Sequence, residues 1–178
     1  MKSALALVIA LFTLPAAAHD GHGVAGALLA AAVHPLTGLD HLAGMLAIGL
    51  WSRQQKLPTW LALSFVVTMA GGAFGVGLLG WSGAGELALV AGVALLGWLL
   101  ASGAQVRAVA VVGLVAVLAL LHGLAHGNEL AAPASATGYL LTSTLLVLAG
   151  RLVATDLLLR RCGMALGAVG LCLLAGVA

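Results

Sequence analysis

Residues 107–127 read RAVAVVGLVAVLALLHGLAHG. After Arg107 the next charged side chain is Glu129, and the run between them is apolar apart from His122, His126 and Asn128. Its length matches the roughly 20 residues that a helix needs to cross the hydrocarbon core of a bilayer. Inside lipid only a helix or a closed barrel satisfies its own backbone, and no period-two alternation marks a barrel strand here. Five further apolar segments accompany it, at 24–51, 60–80, 86–103, 137–158 and 162–178. The sequence therefore predicts an all-α integral membrane protein, a bundle of about six transmembrane helices.

Composition points the same way. The 178 residues are 63% hydrophobic and 7% charged, against about 25% charged in a soluble domain. A soluble globular enzyme, a disordered chain and a nucleic-acid binder are excluded on that ground. The seven Lys and Arg are scattered rather than gathered into a patch. Lys2, a short apolar run at 4–14 and the small residues Ala16, Ala17 and Ala18 read as a secretory signal peptide over 1–18. A single six-helix transmembrane domain, 19–178, would follow, with His19, Asp20 and His22 at its exposed amino terminus. With that terminus outside, the inner loops carry Arg53, Lys56, Arg107, Arg160 and Arg161, and the outer loops carry no Lys or Arg. The carboxyl terminus is then outside as well.

Small residues four apart, Gly71/Gly75, Gly123/Gly127 and Gly163/Gly167, suit close helix packing. Cys162 and Cys172 lie ten apart in one helix and imply no disulfide. Arg151 and Asp156 fall in the fifth segment; a structural role is expected of both, Arg151 reaching toward the inner surface. Thr142, Ser143 and Thr144 can bond to backbone.

Ionisable groups inside membrane segments are costly, so each is a functional candidate. The first cluster is His34-Pro35-Leu36-Thr37-Gly38-Leu39-Asp40-His41, with Met45 four residues on. Pro35 disfavours helical geometry at His34, and Gly38 loosens the next turn. The segment is also too long, since its straight helix would span about 42 Å against a core near 30 Å. A first helix broken at the His-Pro motif resolves both facts, and broken helices expose ion-binding groups. The second cluster is His122, His126 and Glu129, spaced to share one helix face. Two imidazoles one turn apart chelate a divalent transition metal, and a carboxylate neutralises its charge. Asp40 can ligate directly or orient a histidine ring.

The patterns His34-Pro35-x-x-Gly38-x-Asp40-His41-x-x-x-Met45 and His122-Gly123-x-Ala125-His126-Gly127-x-Glu129 resemble the two signatures of the HupE/UreJ family, small bacterial nickel or cobalt permeases associated with hydrogenase and urease. The resemblance covers nearly the whole chain. It implies metal uptake across the inner membrane; the loop charges above give this multi-pass protein two periplasmic termini. The expectation is a secondary transporter, not an enzyme, with Ni(II) or Co(II) as transported ion and no prosthetic group. The ion would be gathered by His19, Asp20 and His22 and held by His34, Asp40, His41, His122, His126 and Glu129. Its partners are a divalent transition-metal ion and the lipid bilayer, with no nucleic acid; a homo-oligomer is among the admissible assemblies. Two alternatives stand beside this reading. One is an intramembrane metal-dependent hydrolase using Asp40 or Glu129 as base, although HExxH is missing from the sequence. The other is a non-transporting assembly factor for a nickel metalloenzyme.

Overall fold

The computed structural model describes residues 23–79, 85–126 and 133–177. The described residues form seven helices: α1 (Val24–Thr37), α2 (Leu39–Gln54), α3 (Thr59–Leu79), α4 (Gly85–Ser102), α5 (Ala108–His126), α6 (Pro133–Val153) and α7 (Asp156–Val177). Three of them, over Ala108–Ala125, Ser135–Val153 and Asp156–Gly176, are long and apolar enough to cross a membrane. Shorter apolar helices run over Val24–Thr37, Thr59–Gly75 and Leu87–Ser102. Large apolar side chains such as Val67, Phe74, Trp98, Val109 and Leu171 point outward. A soluble protein would cover such a surface with polar residues; a membrane protein presents it to lipid.

The long first segment is interrupted, at Gly38. This residue is extended (φ −86°, ψ 118°) and separates α1 from α2. Pro35 itself lies inside α1, where it costs one helical hydrogen bond, and the chain leaves the helix three residues later. The Thr37 hydroxyl donates to the His34 carbonyl at 2.9 Å, and the Gly38 N–H approaches the same oxygen at 3.4 Å. These contacts close the end of α1.

The last two segments divide differently from expectation. Arg160 and Arg161 lie within α7, and the break comes earlier, at Ala154 and Thr155. Cap chemistry decides the position. The Leu158 N–H points to the Thr155 hydroxyl at 3.4 Å, and Asp156 places a negative charge in the first turn of α7. Asp156 therefore opens the last helix rather than ending the fifth segment. Two adjacent arginines interrupt the hydropathy, but they do not interrupt a helical backbone.

Helix α2 is the centre of the bundle. His41, Gly44, Met45 and every residue over 47–52 are buried, and α1, α3, α4, α6 and α7 all pack on it. Glycine lets the backbones approach. A Cβ at Gly49 would collide with the Val147 carbonyl of α6, and one at Gly123 with the Met69 carbonyl of α3. In the broad α4–α7 contact, a Cβ at Gly170 would lie 2.5 Å from the Ala94 nitrogen, and one at Gly97 would meet the Gly167 backbone. Gly163 is part of that interface, in line with its spacing. Gly71 and Gly75 are not; both face open space, and the tight residue of α3 is Gly72, 2.7 Å from the Leu120 carbonyl by the same measure.

The ends of α2, α4 and α6 meet in one polar network. The Gln54 side chain donates to the Leu100 carbonyl at 2.9 Å, and Gln55 donates to the Ala104 carbonyl at 2.7 Å. Gln55 also accepts from the Val106 N–H at 3.0 Å. Arg151 donates to the Ser52 hydroxyl at 3.1 Å and to the Leu57 carbonyl at 2.5 Å, the structural role expected of it. Ser143 and Thr144 bond back to the Tyr139 and Leu140 carbonyls. Cys162 and Cys172 are free.

Candidate metal centre

The break at Gly38 folds the first histidine cluster onto itself. His34 sits in the last turn of α1 and His41 in the first turn of α2, with ring centres 5.4 Å apart and planes nearly perpendicular. From the other half of the chain α5 delivers His122, whose ring centre lies 6.4 Å from that of His41. Three imidazoles from three helices thus line up as His34, His41, His122. His41 and His122 are both buried, at 7% and 2% exposure.

Hydrogen bonds fix the chemistry of two of these rings. His41 Nδ1 lies 2.6 Å from Asp40 Oδ1. A carboxylate only accepts, so Nδ1 carries the proton and Nε2 becomes the ring's electron-pair donor. His122 Nδ1 lies 2.9 Å from the Leu118 carbonyl, and the same reasoning assigns its donor atom to Nε2. Imidazoles held in this way, by a carboxylate or a backbone carbonyl behind the ring, are the usual form of a metal-ligating histidine. Asp40 thus occupies the orienting position. Its place in the first turn of α2 also favours its charge.

Glycines make the room. A Cβ at Gly38 would lie 2.9 Å from His41 Nδ1 and 3.0 Å from Asp40 Oδ1. One at Gly44 would lie 2.7 Å from His122 Nε2. Phe65 of α3 packs edge-on against His122, with centres 5.3 Å apart, and Tyr139 of α6 stands 6.0 Å from His34. Sequence reasoning missed Gly44, Phe65 and Tyr139. Tyr139 is the one tyrosine of the chain, and that rarity in an apolar helix was the available signal. Phe65 and Gly44 carried none, because one more phenylalanine or glycine in a membrane helix is unremarkable in sequence.

Met45 is fully buried one turn beyond His41, in the apolar core with Ile48 and Trp51. His126 is the last residue of α5, one turn beyond His122; its side chain, Glu129, His19, Asp20 and His22 lie outside the described residues. Among the described residues, no three His, Cys, Asp or Glu side chains are already gathered to hold one ion.

The comparisons with known proteins agree on one family. The model for the HupE / UreJ protein family matches residues 6–178. Protein HupE of Rhizobium leguminosarum bv. viciae is 38% identical over 144 residues, a match that covers 77% of this chain and 73% of the relative. No solved structure matches.

Proposed function

The chain belongs to the HupE/UreJ family, and from that membership we propose that it is a permease importing Ni(II), with Co(II) as the alternative ion, across the bacterial inner membrane. The observation that carries this reading is the row of His34, His41 and His122, brought together from three helices. Metal–nitrogen bonds of about 2 Å place two imidazoles on one ion roughly 5–6 Å apart, centre to centre. The His34–His41 separation of 5.4 Å is of that size, and the His41–His122 separation of 6.4 Å is slightly longer. Ring rotation toward a common point, with His126 and Glu129 completing the shell, closes the site on the ion. Imidazole and carboxylate donors suit Ni(II) and Co(II) alike.

An imported divalent cation gains about 4.6 kcal/mol per 100 mV of membrane potential, so uptake needs no nucleotide. His19, Asp20 and His22 gather the ion at the periplasmic face. About 20 Å of α2 separate His41 from the basic end of the bundle. The fully buried Met45, Ile48 and Trp51 fill that stretch. The ion therefore leaves by a rearrangement around α2.

The test is uptake of radiolabelled nickel into proteoliposomes, with cobalt and zinc as competitors. His34→Ala, Asp40→Asn and His41→Ala should each nearly abolish uptake while the protein still inserts. Wild-type-like transport in two of the three would remove the site. Metal retained at fixed stoichiometry, without transfer to the lumen, would favour a resident metal and with it an enzyme or an assembly factor.

A further inference from the structure

We propose that the basic end of the bundle holds the headgroup of an anionic phospholipid. Two hollows open there. One, of about 520 Å³, is lined by Arg53, Lys56 and Arg160, with Gln105 and Asp156. The other, of about 360 Å³, is lined by Arg53, Arg151, Thr59, Leu148 and Leu152. Arg53 belongs to both, so the hollows adjoin.

The charge of this end is wrong for the transported ion. Arg53, Lys56 and Arg160 face a single carboxylate, Asp156, and a divalent cation is repelled. An anion is attracted, and guanidinium groups match a phosphate in a forked, charge-assisted geometry. Asp156 lies one turn before Arg160 on α7; against Arg53, Lys56 and Arg160 it leaves the first hollow with a net positive charge.

The second hollow selects a lipid over a soluble anion. Leu148 and Leu152 form its apolar wall, and it opens on the outer surface of the bundle, where Leu152 is 84% and Trp60 68% exposed. A phosphodiester at Arg53 thus has an apolar surface beside it along which acyl chains run. Basic pockets between helices at a membrane surface hold anionic headgroups by this combination. Arg151 is anchored by Ser52 and Leu57, so it supplies fixed positive charge at the floor, and the exposed Arg53 reaches the ligand.

The test uses the full chain purified in detergent without nickel, so its outcome is independent of the metal reading. Native mass spectrometry counts lipids retained from mixed micelles of phosphatidylglycerol or phosphatidylcholine. Phosphatidylglycerol should be retained selectively, and the double variant Arg53→Gln/Arg160→Gln should weaken retention by about tenfold or more. The single variant Arg53→Lys, which keeps the charge and loses the fork, should fall between. Circular dichroism checks that each variant is folded, and Arg160→Gln alone replaces the double variant if that is not recovered. Equal retention of both lipids, or retention unchanged in the variants, would overturn the proposal and leave these cations as topology determinants only. Displacement of the lipid by millimolar inorganic phosphate would make this a soluble-anion site and overturn it too.

Discussion

Asp40 and His41 are neighbours in sequence, and their 2.6 Å contact exists because Gly38 offers no Cβ to obstruct it. Gly38 has ordinary backbone angles for any residue (φ −86°, ψ 118°), so what requires glycine is space. The Gly38→Ala methyl would stand 2.9 Å from His41 Nδ1 and push the ring off its carboxylate. Loss of such an orienting contact costs about 10–100-fold in metal affinity, and that is the loss expected in equilibrium nickel binding to purified Gly38→Ala. Gly44→Ala should act on the other ring, because its methyl would meet His122 Nε2 at 2.7 Å. Normal nickel affinity in both variants would place the ion elsewhere. The two histidine clusters were legible in sequence because ionisable groups stand out in an apolar chain. Their meeting was not: His41 and His122 are 81 positions apart, and no periodicity within either helix specifies which helix lies opposite. The positioning role of Gly44 follows only from that meeting.

At the scale of the element, hydropathy and glycine spacing gave unequal returns. Hydropathy located the helices, since an apolar run of this length has no other stable form in lipid. It misplaced the last boundary, because the arginine pair at 160–161 resembles a loop whereas the capping signal of Thr155 and Asp156 spans only two residues. Glycine spacing located the α7 interface correctly through Gly163 and misassigned α3. In α3 the close approach is made by Gly72, and the adjacent Gly71 faces open space. Substitutions at these neighbours should therefore differ in sign. Gly71→Ala adds helix propensity worth about 1 kcal/mol with nothing to collide with, and the melting temperature in detergent should rise or hold. Gly72→Ala drives a methyl to 2.7 Å from the Leu120 carbonyl, and overpacking of this kind costs about 1–3 kcal/mol. Its melting temperature should fall. Because Gly123 of the same interface adjoins His122, nickel affinity should fall with it. Equal thermal shifts for the two variants would mean that α3 and α5 are not packed through Gly72.

Across the whole molecule, basic side chains among the described residues gather at one end. The turn after α2, the turn before α5 and the α6–α7 junction meet at one end, bound together by Gln54, Gln55, Gln105 and Arg151. Arg53, Lys56 and Arg160 gather around the same hollow. The histidine row stands at the far end of α2. Sequence alone assigned these loops to one side by counting charges; the hydrogen bonds among them give that assignment a geometric basis, because loops that share a network cannot lie on opposite faces of a bilayer. On the proposed reading, the positive-inside rule sets this end in the cytoplasm, and the membrane potential would draw a cation from the histidine end toward it. The orientation is open to direct measurement. Alkaline phosphatase folds only outside the cytoplasm, so a fusion after Lys56 should be inactive and a fusion after Ala178 active. A fusion after Arg161, in the second turn of α7, should be inactive as well. Activity after Lys56 together with inactivity after Ala178 would invert the bundle, place the histidine row next to the cytoplasm, and turn the proposed importer into a protein facing the wrong way for uptake.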